Sequence, residues 1–162
     1  MGIKFNADEI FEMAEQIERN GAKFYTKAAE SSGGAQSREL LLDLAAMEAV
    51  HVKTFANMRA ELSDKERAAT VFDPDDVAAS YLQAFADGHV FDVKQDPSEL
   101  LTGRETMEEI LKTAIGLERD SIAFYLGIRE SVPENLGRDN IDGIIREEMK
   151  HVTTLSQELA SL

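Results

Sequence analysis

The chain repeats itself at an offset of 100 residues, and no gap is needed to see the match. Ile17-Glu18-Arg19-Asn20-Gly21-Ala22-Lys23-Phe24-Tyr25 lies over Leu117-Glu118-Arg119-Asp120-Ser121-Ile122-Ala123-Phe124-Tyr125, and Glu30-Ser31 recurs as Glu130-Ser131. At the same offset, Glu48-Ala49-Val50-His51-Val52 falls on Glu148-Met149-Lys150-His151-Val152. One gapless offset thus aligns both halves of two helix hairpins.

Four segments carry helical periodicity, roughly 7–31, 37–63, 105–131 and 138–161, each rich in Ala, Leu, Glu, Lys and Met and nearly free of proline. The fold class is therefore all-α. Ser31-Ser32-Gly33-Gly34-Ala35 and Ser131-Val132-Pro133-Glu134-Asn135-Leu136-Gly137 are short enough to close antiparallel hairpins over 7–63 and 105–161. The crossover, 64–104, contains Asp73-Pro74, a helix start with proline in the first turn, followed by Asp75 to Asp87 and a stop at Gly88. A short helix is expected there, in a linker long enough to let the second and third long helices run parallel. With 162 residues and 43% hydrophobic composition, one core and a single domain over 1–162 are expected.

The seam of each helix can be read in alternating steps of three and four. The first gives Ala14, Glu18, Gly21, Tyr25 and Ala28; the second gives Leu41, Leu44, Glu48, His51, Phe55, Met58 and Leu62. The third gives Leu111, Ala114, Glu118, Ser121, Tyr125 and Ile128; the fourth gives Ile141, Ile144, Glu148, His151 and Leu155. Four glutamates and two histidines thus interrupt apolar lines. Removing an isolated carboxylate from water costs several kcal/mol, and facing carboxylates add repulsion, so such a core calls for cations. Two divalent ions balance four carboxylates, with neutral imidazoles completing the coordination. A Glu and a His three residues apart share one helical face and can hold one ion together.

Composition narrows the chemistry. With no cysteine, disulfides, thiolate metal sites and iron–sulfur clusters are excluded. Oxygen and imidazole ligands suit iron or manganese and fit calcium poorly, while zinc is chemically permitted. The formal charge of −14 repels phosphate backbones and anionic lipid, which disfavours nucleic acid and membrane partners. The segment Met1 to Asn6 lacks the apolar core of a signal peptide and fails the myristoylation pattern, and a cytoplasmic protein is expected.

With two Glu-x-x-His motifs and two matched lone glutamates, the chain resembles the ferritin-like di-metal carboxylate proteins, rubrerythrins and bacterioferritins among them. The resemblance spans all four long helices and implies a ferritin-like four-helix bundle of two duplicated hairpins. It implies Glu18 and Glu118 as lone-helix ligands, Glu48 and Glu148 as metal-bridging carboxylates, and His51 and His151 as imidazole ligands. Tyr25 and Tyr125 stand where rubrerythrins place tyrosines that hydrogen-bond ligand carboxylates, although an inward tyrosine is also ordinary core. Rubrerythrins carry an extra glutamate where this chain has Ser121, so the six-ligand set looks more like bacterioferritin. Without cysteine there is no rubredoxin-type domain, and electrons must come from another molecule.

The resemblance implies two iron ions per chain and a peroxidase, oxidase or ferroxidase with an external electron-donor protein, working as a homo-oligomer, expected to be a dimer. Two other readings stand beside it: a metal-binding or iron-handling protein without turnover, and an interaction module with a structural metal site. Outside the constellation, His89 is expected at the surface or capping the crossover, and Glu147, Glu15, Asp120 and Glu130 are expected to be solvated. The six methionines are expected to serve as adaptable packing. Elemental analysis of protein prepared without added metal is expected to find about two ions per chain, and replacing Glu48 and Glu148 with Ala is expected to abolish that stoichiometry.

Overall fold

Two of the long helices begin at matching caps. Asn6 accepts from the backbone N–H of Glu9 while the Glu9 carboxylate accepts from the Asn6 N–H, and Thr106 and Glu109 repeat the arrangement 100 residues on. Each reciprocal pair satisfies two donors that a helix start leaves open. In the computed structural model, which describes residues 5–68, 77–87 and 92–162, they open α1 (Ala7–Ser31) and α5 (Met107–Ser131). The other helices are α2 (Ala35–Ala60), α3 (Asp64–Ala68), α4 (Val77–Ala86) and α6 (Arg138–Ser161), with single 3₁₀ turns at Pro97–Leu100 and Glu134–Leu136. The described residues contain no β-strand, and no helix among them is long and apolar enough to cross a membrane.

Helix ends depart from the sequence reading where side chains capture backbone amides. α2 stops at Ala60 rather than residue 63, because the Ser63 amide and hydroxyl bond the Glu66 carboxylate and start α3, a helix the periodicity did not reveal. α5 starts at Met107 rather than 105, because Glu105 folds back to accept from the Thr102 and Gly103 amides. α2 begins at Ala35, two residues ahead of the expected 37, with Gly34 as its cap. The crossover does carry the expected short helix, α4; its expected start at Asp73-Pro74, its stop at Gly88, and His89 lie outside the described residues.

Cross-helix contacts give the chain directions. Residue 25 bonds residue 118 while residue 18 bonds residue 125, so α1 and α5 run antiparallel. His51 lies against Glu148 while His151 lies against Glu48, so α2 and α6 do likewise. Because each hairpin is itself antiparallel, α2 and α5 run in the same direction, as a long crossover allows. The bundle interior divides into two apolar clusters. One gathers Ile10, Phe11, Phe55, Phe124, Ile128 and Ile141; the other gathers Phe24, Leu41, Leu44, Ile110, Leu111 and Leu155. The seam glutamates and histidines fall between them along each helix.

α4 docks on α5 where a side chain is missing. A Cβ on Gly127 would stand 2.7 Å from the Tyr81 ring and 3.1 Å from Leu82, and the Tyr81 hydroxyl donates to the Ala123 carbonyl at 2.7 Å. Gly116, on the same helix, has nothing within 4 Å. Gly127→Val is therefore expected to displace α4 and cost ~1–3 kcal/mol, whereas Gly116→Ala is expected to stabilise by ~0.5–1 kcal/mol. Thermal melts followed by circular dichroism, with limited proteolysis of residues 77–87, check both.

Candidate metal centre

Each of α1 and α5 contributes one inward glutamate, and each of α2 and α6 contributes a Glu and a His one turn apart on the buried face. All six side chains are at most 3% exposed: Glu18, Glu48, His51, Glu118, Glu148 and His151. They form two overlapping groups. The first is Glu18, Glu48, His51 and Glu148, the second Glu48, Glu118, Glu148 and His151, and in each the candidate ligand atoms lie within 4.8 Å of one another.

Glu48 and Glu148 belong to both groups, and their oxygens are divided between the histidines. Glu148 places Oε1 2.9 Å from His51 Nδ1 and Oε2 2.8 Å from His151 Nδ1. Glu48 places Oε2 3.8 Å from His51 Nδ1 and Oε1 3.3 Å from His151 Nδ1. The lone glutamates approach one imidazole each, Glu18 Oε2 at 3.3 Å from His51 Nδ1 and Glu118 Oε1 at 3.4 Å from His151 Nδ1. The two rings are stacked, with centroids 5.8 Å apart.

These atoms are close without being hydrogen-bonded. Glu48 Oε1, both Glu148 oxygens and both Nδ1 atoms are buried without a hydrogen bond of acceptable geometry, although ion-pair distances are short. Buried polar atoms are normally satisfied. Buried oxygen and nitrogen donors left without hydrogen-bond partners are free to ligate cations, so the donor set fits a two-metal site.

Titration behaviour makes the same point. Burial and the neighbouring Glu48 charge hold the Glu18 carboxyl well above its usual range, and burial with the Glu48 and Glu148 charges does so for Glu118. Burial opposes imidazolium at both histidines but is outweighed by the surrounding carboxylates, which raise His51 strongly and push His151 up to about 12. Glu48 is lowered to about 2 despite burial, by the close approach of Glu18 and both imidazoles, and Glu148 is lowered by the imidazoles. In the absence of metal, protons thus supply the positive charge that the interior needs.

The two tyrosines bind crosswise. Tyr25 of the first hairpin donates its hydroxyl to Glu118 of the second, and Tyr125 donates to Glu18. Burial, then the charge of the accepting glutamate, raises both phenols, which keeps them protonated and donating. Each bond orients one glutamate and also ties one hairpin to the other.

Three side chains depart from the sequence reading. Glu147, expected to be solvated, is half exposed yet places Oε2 2.6 Å from His51 Nε2, because the position turned away from the centre on α6 leans toward α2. Its only sequence signal is a break in the repeat, since the corresponding residue is Met47. Glu15 is buried rather than solvated, and pairs with Arg19 at 2.5 Å and Arg59 at 3.6 Å. Asp120 is half-buried, and desolvation raises its pKa. Glu130 is exposed, as expected.

Asp120 and Ser121 line a cavity of about 300 Å³ between α1 and α5, which reaches Glu48 and Glu118. The segment 92–100 borders it, held by Asn20 donating to the Val93 and Gln95 carbonyls and by Lys27 donating to Ser98. Gly21 lines it too; a Cβ there would stand 3.4 Å from the Glu48 carboxylate.

No protein-family model matches the chain, and no curated protein matches it. Among solved structures, a protein of Thermotoga maritima, provisionally described as a ferritin-like diiron-carboxylate protein, is similar to it. The TM-score is 0.78 at 24% identity, over 99% of this chain and 98% of that one. The chain therefore has the ferritin-like helical-bundle fold, and its buried Glu and His groups fit a two-metal site.

Ligation must displace the site's protons, so affinity rises with pH. The sign for the metal-free protein is opposite. Groups raised in the fold contribute stability below their unfolded pKa and lose it as pH rises, which for His151 spans 6.5 to about 12. Loading is expected to release about two to four protons per chain, two from the imidazoliums and the rest from Glu18 and Glu118. Calorimetry in buffers of different ionisation enthalpy counts them. Between pH 6.5 and 8 the melting temperature is expected to fall for the metal-free protein and rise for the loaded one.

Proposed function

We propose that the chain is a di-iron oxidoreductase that reduces hydrogen peroxide or dioxygen with electrons from an external donor protein. The observation that carries the reading is the division of Glu48 and Glu148 between the two histidines, which would let two adjacent ions share the two carboxylates. Glu18, Glu48, His51 and Glu148 would hold one ion, and Glu48, Glu118, Glu148 and His151 the other. The description of the Thermotoga maritima protein as diiron-carboxylate supports iron, which an oxygen-and-imidazole donor set suits.

An iron pair held there would supply one electron from each ion, the two that convert hydrogen peroxide and two protons into two waters. The chain's own residues do the rest. Glu48 and Glu148, whose oxygens face both histidines, would hold both ions and could change how those oxygens are shared as charge builds. Tyr25 and Tyr125 keep Glu118 and Glu18 oriented through the change. The cavity between α1 and α5 brings a small reactant to Glu48 and Glu118, while the apolar clusters above and below exclude bulk water. Having no cysteine, the chain has no iron–sulfur or thiolate relay of its own.

A cytoplasmic homodimer is part of this reading, and Leu42, Met47 and Val50 on α2 with Met149 on α6, exposed apolar side chains, support self-association. Light scattering at twice the 17.9 kDa chain mass checks it. A second reading, iron handling without turnover, is favoured by Ser121, which adds no seventh ligand. One experiment separates them: peroxide added to the fully reduced iron-loaded protein under anaerobic conditions. Rapid stoichiometric oxidation followed by donor-dependent turnover is the expected result. Oxidation with iron retained and no turnover supports handling; no reaction means a structural site.

A further inference from the structure

The two halves of the site match in every ligand but differ behind the imidazoles. His51 turns Nδ1 to the carboxylates and Nε2 to the Glu147 carboxylate at 2.6 Å. A carboxylate accepts, so the Nε2 proton is held in place, and the proton that leaves when a metal binds is the one on Nδ1. His151 also turns Nδ1 to the carboxylates, but its Nε2 is buried and makes no hydrogen bond. The 100-residue offset puts Met47 where Glu147 stands in the other half, and a thioether is a poor acceptor.

We propose that the two metal positions are unequal by construction: Glu147 is a positioning residue that makes the His51 position fill first and bind more tightly than the His151 position. The inference rests on the metal-binding reading above, not on any redox activity. Two physical effects act together. The Glu147 hydrogen bond selects the tautomer that can ligate and fixes the ring, whereas His151 must find that state without help. The Glu147 charge also makes the His51 imidazole a better donor, and adds a fourth carboxylate near an ion already facing Glu18, Glu48 and Glu148. A carboxylate behind a ligating histidine is generally worth ~10–100-fold in metal affinity.

The shared carboxylates couple the two binding steps whatever their intrinsic strengths, so a stepwise titration of the natural chain alone would not identify the cause. The offset supplies a swap that does. Cobalt(II) titrated into the metal-free full chain, followed by ligand-field absorption and calorimetry, is expected to show two steps separated by ~10–100-fold. Glu147→Ala should weaken the first step by that factor and leave the second in place. Glu147→Gln, which keeps an acceptor oxygen without the charge, should fall between. Met47→Glu should tighten the second step toward the first. In the zinc-loaded protein, a protected downfield imidazole N–H resonance should be present and should vanish in Glu147→Ala. Two equal steps in the natural chain, equal weakening of both steps in Glu147→Ala, or no tightening in Met47→Glu would overturn the inference. Failure of the natural chain to bind cobalt at all would instead remove the metal-binding reading itself.

Discussion

Four carboxylates in the dry interior of a helical bundle cannot all remain bare anions, and the structure is organised around that constraint. Glu18, Glu48, Glu118 and Glu148 are essentially inaccessible, and apolar clusters lie on either side of them. Without metal, the interior approaches neutrality by keeping protons on the imidazoles and on the lone glutamates. Two divalent ions in place of four protons leave the same net charge. The bundle can therefore fold around protons and exchange them for metal without a change in electrostatic balance, which couples loading to pH.

The same constraint explains how the hairpins are joined. Apolar packing alone would let one hairpin slide or rotate against the other at modest cost. Tyr25 to Glu118 and Tyr125 to Glu18 each cross between hairpins, and each would leave a buried oxygen unpaired if the register shifted. Registry between the halves is thus set by the polar belt, and the apolar clusters supply most of the cohesion.

How much of this was legible beforehand can be seen residue by residue. The seams read from alternating steps of three and four correspond to buried positions, with Gly21 and Ser121, which border the cavity, only partly covered. Helix ends were less legible, because caps such as Ser63 with Glu66, and Glu105 on the Thr102 and Gly103 amides, depend on single side chains that periodicity averages away. Glu15 reads as surface charge on α1, yet Arg59 from α2 meets it there. No pattern within α1 carries that information.

The sequence by itself determined which residues line the seam of each helix, since helical period and a 100-residue repeat are properties of the chain alone, and with them the composition of the polar belt. Only tertiary structure decided which partners meet: that each tyrosine serves the opposite hairpin, that both oxygens of Glu48 and Glu148 are shared, and that Glu147 reaches His51 while His151 goes without. The physical reason is that periodicity assigns a side chain to a face, whereas a hydrogen bond requires atoms from separate helices within about 3 Å. That distance is set by the rotation and height of one helix against another, which the packing of the whole bundle decides.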